Sequence, residues 1–170
     1  YSGQIIRTDF EYDVESTLRP MGEDNGYQHL WNVGSGQAQG SSLVSWLHDN
    51  SYYSLITSAT NGGKVFFTRT GANDPDFNLK SEPALILRQS GQNHVLASVL
   101  ETHGYFNESI EASVCARGLV ESVTVVGNNE VGTVIRLQTT TGNAYHFAIC
   151  NLDEDKQNAA HRVEFDGVTY

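Results

Sequence analysis

The sequence predicts an all-β fold, an antiparallel β-sandwich. Helical periodicity is nearly absent along the 170 residues. Instead, about ten short apolar or alternating segments follow one another, separated by turn-forming clusters of Gly, Asn and Ser. Regularly spaced strands with no helices between them are typical of sandwiches and barrels. The composition agrees, because 39% of the residues are apolar and only 18% are charged, as in a β-rich globular domain.

The strand-like segments cover most of the chain as one domain, residues 1–170, without an internal repeat or a linker. The predicted strands are Gln4–Tyr12, Gly26–Val33, Ser42–His48, Tyr52–Ala59, Lys64–Arg69, Ala84–Gln89, His94–His103, Leu119–Val126, Thr133–Gln138, Ala144–Cys150 and Arg162–Phe165. Residues 49–51 and 90–93 have the composition of hairpin turns. Because Ala144–Cys150 is nearly all apolar, we expect it to be buried on both faces in the middle of stacked layers.

One connection is too long to be a simple hairpin turn. The fifteen residues Arg69–Pro83, RTGANDPDFNLKSEP, lie between two apolar strands. Connections of this length are usually functional or disordered. Phe77, Leu79 and the two prolines give this one anchors and stiffness, so we interpret it as an ordered surface loop carrying a binding function.

The same loop carries a resemblance to a known family. The stretch TRTGANDPDFNLKSEP (68–83), together with NGYQHLW (25–31) and ETHGYF (101–106), resembles the C-terminal β-domain of the oligoalginate lyases. These are polysaccharide lyase family 17, in the heparinase II/III-like group. The similarity runs from Tyr1 to about Cys150. The long loop is specific to that family, and the strands between the motifs are generic.

The resemblance implies a larger enzyme that cleaves alginate or related oligouronates by β-elimination. It also implies an N-terminal α/α-toroid. The catalytic Tyr and His and the metal ligands would lie in that toroid and in the first part of the β-domain, ahead of this chain. We therefore assign no catalytic residue, metal ligand or cofactor to this chain. We expect it to be a C-terminal fragment, a split subunit or a free-standing derivative that supports the active-site cleft. Its expected partners are an acidic oligosaccharide and the toroid, in an extracellular or periplasmic location.

The net charge of −10 restricts the possible partners. Nucleic-acid binding requires a basic surface, which this composition argues against. No apolar run approaches the length of a membrane-spanning helix. A polyanionic uronate polymer is also a like-charged partner, so its binding would need a local basic cluster or a positive cleft elsewhere in the enzyme. Arg69, Lys80 and Arg88, around the long loop, are the candidates for such a cluster.

Six residues are predicted to bind substrate: Arg69, Asn73, Asp74, Arg88, His29 and His103. Arginine suits a uronate carboxylate because its guanidinium donates two parallel hydrogen bonds. Each candidate also has a structural alternative. The arginines can hold loop carboxylates, Asn73 and Asp74 can form a turn, and His29 can bond to its strand neighbours. His103 can form a half-exposed pair with Glu101, which lies two residues away on the same strand face.

Two further functions stay open at this stage. A carbohydrate-binding module would use exposed aromatic rings, for which Trp31, Trp46, Tyr52 and Tyr53 are candidates, although strand aromatics are more often core residues. A purely structural domain would instead expose a large apolar patch. The 74–78 segment does not continue as an EF-hand calcium loop, because Leu79 replaces the required Gly. Cys115 and Cys150 are expected to be buried thiols, with a disulfide between them as the alternative.

Overall fold

The structure is a computed structural model that describes residues 1–22, 29–59, 62–71, 81–152 and 162–170. Within these ranges no helix is long and apolar enough to cross a membrane. The strands are β1 (Ile5–Thr8), β2 (Tyr12–Pro20), β3 (Leu30–Ala38), β4 (Ser41–His48), β5 (Ser51–Ser58), β6 (Gly63–Thr70), β7 (Glu82–Arg88), β8 (Ser98–Asn107), β9 (Ala112–Val114), β10 (Val120–Asn128), β11 (Gly132–Thr139), β12 (Ala144–Cys150), β13 (Glu164–Phe165) and β14 (Val168–Thr169).

The strands form three main antiparallel sheets. The central sheet has the order β1-β4-β5-β8-β9, the loop-bearing sheet has the order β2-β3-β6-β7, and the small sheet has the order β10-β11-β12. The short β13–β14 hairpin forms a separate two-stranded sheet. The predicted all-β sandwich fold is therefore confirmed, and the central sheet is its middle layer.

The first core fills the space between the central and loop-bearing sheets. Its buried centre combines Val44 and Trp46 of the central sheet with Val65 and Phe67 of the loop-bearing sheet. Phe67, only 1% exposed, lies 4.8 Å from Tyr12 between ring centroids. Edge-to-face contacts of this kind add to the free energy gained by burying aromatic surface.

The second core lies on the opposite face of the central sheet. Leu43, Ile56 and Ala97 contact Val123 of the small sheet there, and Ile135 packs at the periphery. β4 and β5 are consequently covered on both sides. This explains why the sequence 42–47 lacks a clean alternation, since a strand buried on both faces reads as a continuous apolar or small-residue run.

The prediction of double burial for Ala144–Cys150 was wrong. These residues form β12, the edge strand of the small sheet, and every one of them is exposed. Apolar composition alone does not distinguish a middle strand from an edge strand whose apolar face lacks a partner. The middle strands are β4 and β5 instead.

Two connections also differ from the prediction. Residues 90–93 do not close a hairpin, because β7 belongs to the loop-bearing sheet and β8 to the central sheet. This segment therefore crosses between layers, and it is anchored where the backbone of Ala97 bonds Ser58. β2 and β9 were missed as separate strands.

The 49–51 turn is confirmed, with Asp49 and Asn50 both at positive φ (46° and 63°), as the tight hairpin between β4 and β5 requires.

Replacing Phe67 by Ala is expected to lower the free energy of unfolding by about 3–5 kcal/mol, because the change leaves a cavity between two sheets. Denaturant titration followed by circular dichroism measures this value. Val14→Ala is the control, since Val14 is 68% exposed, and exposed substitutions usually change stability by less than about 0.5 kcal/mol. Similar losses for the two variants would contradict the first core.

Candidate functional site

The base of the long loop lies beside the segment that precedes β3. Arg69 and Pro83 are direct partners across the β6–β7 ladder, and the Thr70 hydroxyl donates to the Glu82 carbonyl at 3.2 Å. The neighbouring strand places Trp31 opposite Arg69. In addition, the Gly71 amide donates to the His29 carbonyl at 3.1 Å. Two of the three sequence segments that carry the family resemblance therefore meet at one end of the loop-bearing sheet, here called the loop end.

Two of the predicted substrate-binding residues are exposed at the loop end. His29 and Arg69 both have solvent-accessible side chains. The structure thus brings these two candidates together. Asn73 and Asp74 fall outside the described residues, so their predicted role stays a prediction.

Tyr1 is a neighbour of the loop end to which no sequence motif pointed. The centroid of its ring lies 6.1 Å from the ring centroids of both Trp46 and Phe67. Tyr1 therefore contacts both the central sheet and the loop-bearing sheet. Burial raises the pKa of the Tyr1 hydroxyl and the nearby Tyr12 adds to the rise, whereas the positive charge of Arg69 lowers this pKa. Arg69 is thus close enough to act on the Tyr1 hydroxyl electrostatically.

Arg88 lies away from the loop end, although it follows the loop closely in sequence. Its cross-strand partner is Lys64, five positions along β6 from Arg69, a separation of roughly 17 Å at the rise of a β-strand. The Arg88 guanidinium and the Lys64 ammonium lie 4.8 and 5.0 Å from the centre of the Phe66 ring. Arg69 and Arg88 therefore do not form one basic cluster at the loop, and Lys80, the third predicted member, lies outside the described residues.

His103 is buried in a hydrogen-bonded network on the small-sheet side of the central sheet. It is 9% exposed. Its Nε2 lies 2.7 Å from the Ser54 hydroxyl, which is itself 2.7 Å from the Ser45 hydroxyl. Its Nδ1 lies 3.0 Å from the Cys115 carbonyl oxygen. Both ring nitrogens are thus occupied within the protein, which leaves neither for a substrate in this conformation.

The expected half-exposed pair of His103 with Glu101 was wrong. The Glu101 carboxylate accepts hydrogen bonds from the backbone amides of Leu119 and Val120, at 2.7 and 3.0 Å. Together, Glu101 and His103 fix the segment 115–120, which crosses from the central sheet to the small sheet. Gly104 belongs to the same arrangement, because at φ +56° a Cβ there would collide with the Val114 and Cys115 carbonyls. Glu101, His103 and Gly104 of the ETHGYF motif therefore have a structural explanation.

A cavity of about 590 Å³ in the described part of the chain has an acidic lining. Asp9, Glu11 and Asp13 contribute carboxylates, and Lys64 is the one basic residue that lines it. Burial raises the pKa of the Asp9 carboxyl, and the hydrogen bond from the Leu43 amide acts in the opposite direction. A polyuronate would be repelled by such a lining, so this cavity is a poor candidate for the predicted acidic-oligosaccharide site.

The aromatic and cysteine predictions had different outcomes. Trp46 is 7% exposed and stacks on Tyr53 at 5.8 Å, which confirms it as a core residue. Tyr52 is also buried. Cys115 and Cys150 are free and exposed, so the prediction of buried thiols was wrong. Across the described ranges, no three His, Cys, Asp or Glu side chains group as metal ligands. The expectation that any metal lies in another part of the enzyme stays a prediction.

The chain is similar to two curated proteins with related names. It is 33% identical over 173 residues to the alginate lyase of Stenotrophomonas maltophilia, in a match that includes all of this chain and 23% of the lyase. It is also 33% identical over 141 residues to the exo-oligoalginate lyase of Saccharophagus degradans, covering 79% of this chain and 19% of that protein. The predicted resemblance to a domain of the oligoalginate lyases is confirmed.

The resemblance has defined limits. The chain spans about a fifth to a quarter of the length of these relatives. No family model matches it. The assignment to the heparinase II/III-like group stays a prediction.

The network around His103 predicts its tautomer. A carbonyl oxygen only accepts, so Nδ1 of His103 donates to Cys115 and Nε2 accepts from the Ser54 hydroxyl. His94 is the internal control, because its Nε2 donates to the Ser90 carbonyl at 2.8 Å. Nitrogen-15 NMR of the two imidazoles in their neutral forms should show opposite tautomers. An Nε2-protonated neutral His103 would contradict the network.

Proposed function

We propose that this chain is the β-domain of an alginate or oligouronate lyase that acts by β-elimination. In this proposal the loop end forms part of the wall of the active-site cleft. Catalysis requires a base for the C5 proton, a group that neutralises the adjacent carboxylate and an acid for the leaving oxygen. Arg69 is suited to holding a uronate carboxylate, and the proton transfers belong to residues of the rest of the enzyme.

The observation that carries this proposal is the meeting of the two motif segments. The segments 25–31 and 68–83 are far apart in sequence, yet the β3–β6 ladder and the bond between Gly71 and His29 bring their described parts together. His29 and Arg69 are exposed at that point. Residues that only stabilise the fold are usually buried, whereas exposed side chains beside a long loop on a rigid sheet are well placed to bind a ligand.

The electrostatics favour the loop end over the acidic cavity. Arg69 is a permanent cation, and its guanidinium fork matches a carboxylate. The large cavity instead presents three carboxylates. In a chain with a net charge of −10, an acidic sugar is attracted only where local cations outweigh the overall field.

The carbohydrate-binding-module alternative has less support. Two of its four candidate rings, Trp46 and Tyr52, are buried in the core. Stacking on a sugar ring requires an accessible aromatic face. If the isolated chain nevertheless bound neutral glycans in calorimetric titrations, that alternative would replace the proposal.

A structural role has one specific observation in its favour. That hypothesis predicts an exposed apolar patch, and β12 carries Tyr145, Phe147 and Ile149, each about half exposed. This strip belongs to the small sheet, whereas the loop end belongs to the loop-bearing sheet. The strip and the loop end therefore occupy different sheets. A packing role for the strip is compatible with a substrate-binding role for the loop end.

In a lyase that contains this domain, Arg69→Ala is expected to lower kcat/KM on alginate oligosaccharides about 10-fold or more. The reason is the loss of one charge-assisted hydrogen bond, which contributes about 1.5–3 kcal/mol. The ultraviolet absorbance of the unsaturated product measures the rate. Arg136→Ala is the matched control, since Arg136 is an exposed arginine of the small sheet that bonds Gln138. Unchanged kinetics for Arg69→Ala at unchanged Tm would rule out the placement of Arg69 in the cleft.

The isolated chain is expected to be inactive on alginate, because the proton-transfer groups are assigned to another part of the enzyme. The measurement is the same absorbance assay on the purified 170-residue chain, after mass spectrometry has shown that no second polypeptide is present. Turnover by a single 18.7 kDa species would show that this chain carries its own catalytic residues.

A further inference from the structure

β12 carries a strip of three half-exposed apolar side chains. Tyr145, Phe147 and Ile149 are 52%, 53% and 50% exposed. The ladder places Phe147 opposite Ile135, which packs in the second core. The strip therefore lies on the face of the small sheet that covers the central sheet, and it extends that packed face beyond the region where the central sheet covers it.

The other face of β12 is covered differently. His146 points to that side, and its ring lies 5.4 Å from the ring of Tyr170, which follows the β13–β14 hairpin. Val163, which precedes the same hairpin, is 7% exposed and lies against Gly132. Among the described residues, the C-terminal segment thus covers one face of the small sheet and leaves the strip of Tyr145, Phe147 and Ile149 half exposed on the other.

The edge of β12 is also open. Among the described residues, β12 pairs with β11 alone. Natural edge strands usually carry charges, prolines or bulges that prevent further pairing. β12 has none of these, and no Asp, Glu, Lys or Arg occurs anywhere from residue 139 to residue 152. A bare apolar face beside an open, uncharged edge favours the addition of another strand.

We propose that the strand added to β12 is β12 of a second copy of this chain, antiparallel about a twofold axis at Phe147. In this register Phe147 faces its own copy, Tyr145 faces Ile149 of the partner subunit, and Ala144 faces Cys150 of the partner subunit. All three strip residues are then matched with apolar residues on the same face. The two small sheets become one continuous six-stranded sheet, joined by an isologous contact.

The strip is a surface at which the net charge does not oppose a second copy. Each copy carries a net charge of −10, so two copies repel one another over most of their surfaces. The strip is uncharged and its apolar pattern reads the same from either end of β12. It therefore meets itself without bringing like charges together, as a twofold contact requires.

The size of the strip determines how strong this contact is. Three half-exposed side chains contribute roughly 300 Å² of apolar surface per copy, compared with about 800 Å² per partner in a standard stable interface. The dimer is therefore weak and reversible, and it forms at high protein concentration. This inference does not depend on the proposed lyase function.

Sedimentation velocity over a range of protein concentrations tests the proposal. The average mass of the wild-type chain is expected to rise from 18.7 kDa towards twice that value. Phe147→Asp places two like charges opposite each other at the twofold axis and should keep the chain monomeric. Ile110→Asp is the control and should dimerise like the wild type, because Ile110 is 66% exposed in the turn between β8 and β9.

A disulfide trap tests the register independently. In a Cys115→Ser background, Ala144→Cys places a new thiol opposite the native Cys150 of the other copy, within the Cα separation that a disulfide allows. Oxidised glutathione accepts the electrons, so two thiols give one protein disulfide and two molecules of reduced glutathione. A covalent dimer is expected on non-reducing gels, and it should be lost when Cys150→Ser is added.

Two results would overturn the proposal. One is a wild-type chain that stays monomeric at all concentrations. In that case another part of a longer polypeptide, rather than a second copy, would cover the strip. The other is a dimer that persists in a folded Phe147→Asp variant, with no disulfide between positions 144 and 150, which would place the contact on a different surface.

Discussion

The double burial of the β4–β5 hairpin is the constraint on which the rest of the structure depends. One face of this hairpin carries Val44 and Trp46 against the loop-bearing sheet, and the other carries Leu43 and Ile56 against the small sheet. Both outer layers are thus oriented by a single two-stranded element. Because packed interiors tolerate little change in volume, a shift of this hairpin would affect the loop end and the small sheet together.

Local sequence patterns predict the strands and turns of this architecture. The turn at Asp49 and Asn50 and the strands around it are encoded by nearby residues, since two residues at positive φ between apolar runs specify a hairpin. The order of the layers is not encoded locally. Residues 42–47 contain two serines among apolar side chains. One of them, Ser45, bonds Ser54 of the adjacent strand in the interior. Residues 144–150 are more apolar and yet lie at an edge, so hydrophobicity alone ranks the strands incorrectly.

The candidate site shows the same division between local and long-range information. The loop was recognisable because its length and composition are unusual. The separation of Arg88 from Arg69 depends on strand register, which a single sequence does not reveal. His103 and Glu101 are close in sequence and share a strand face, which suggested a pair. Their actual partners, the carbonyl of Cys115 and the amides of Leu119 and Val120, come from a crossing segment whose path only the fold defines.

Hydrogen exchange of the backbone amides tests the account of the central sheet most directly. The amides of β4 and β5 are expected to exchange slowest in the molecule, near the rate set by global unfolding. Those of β2, an exposed edge strand of the loop-bearing sheet, should exchange much faster. Equal protection of β2 and of the β4–β5 hairpin, or faster exchange in the hairpin, would contradict the central sheet as the shared middle layer.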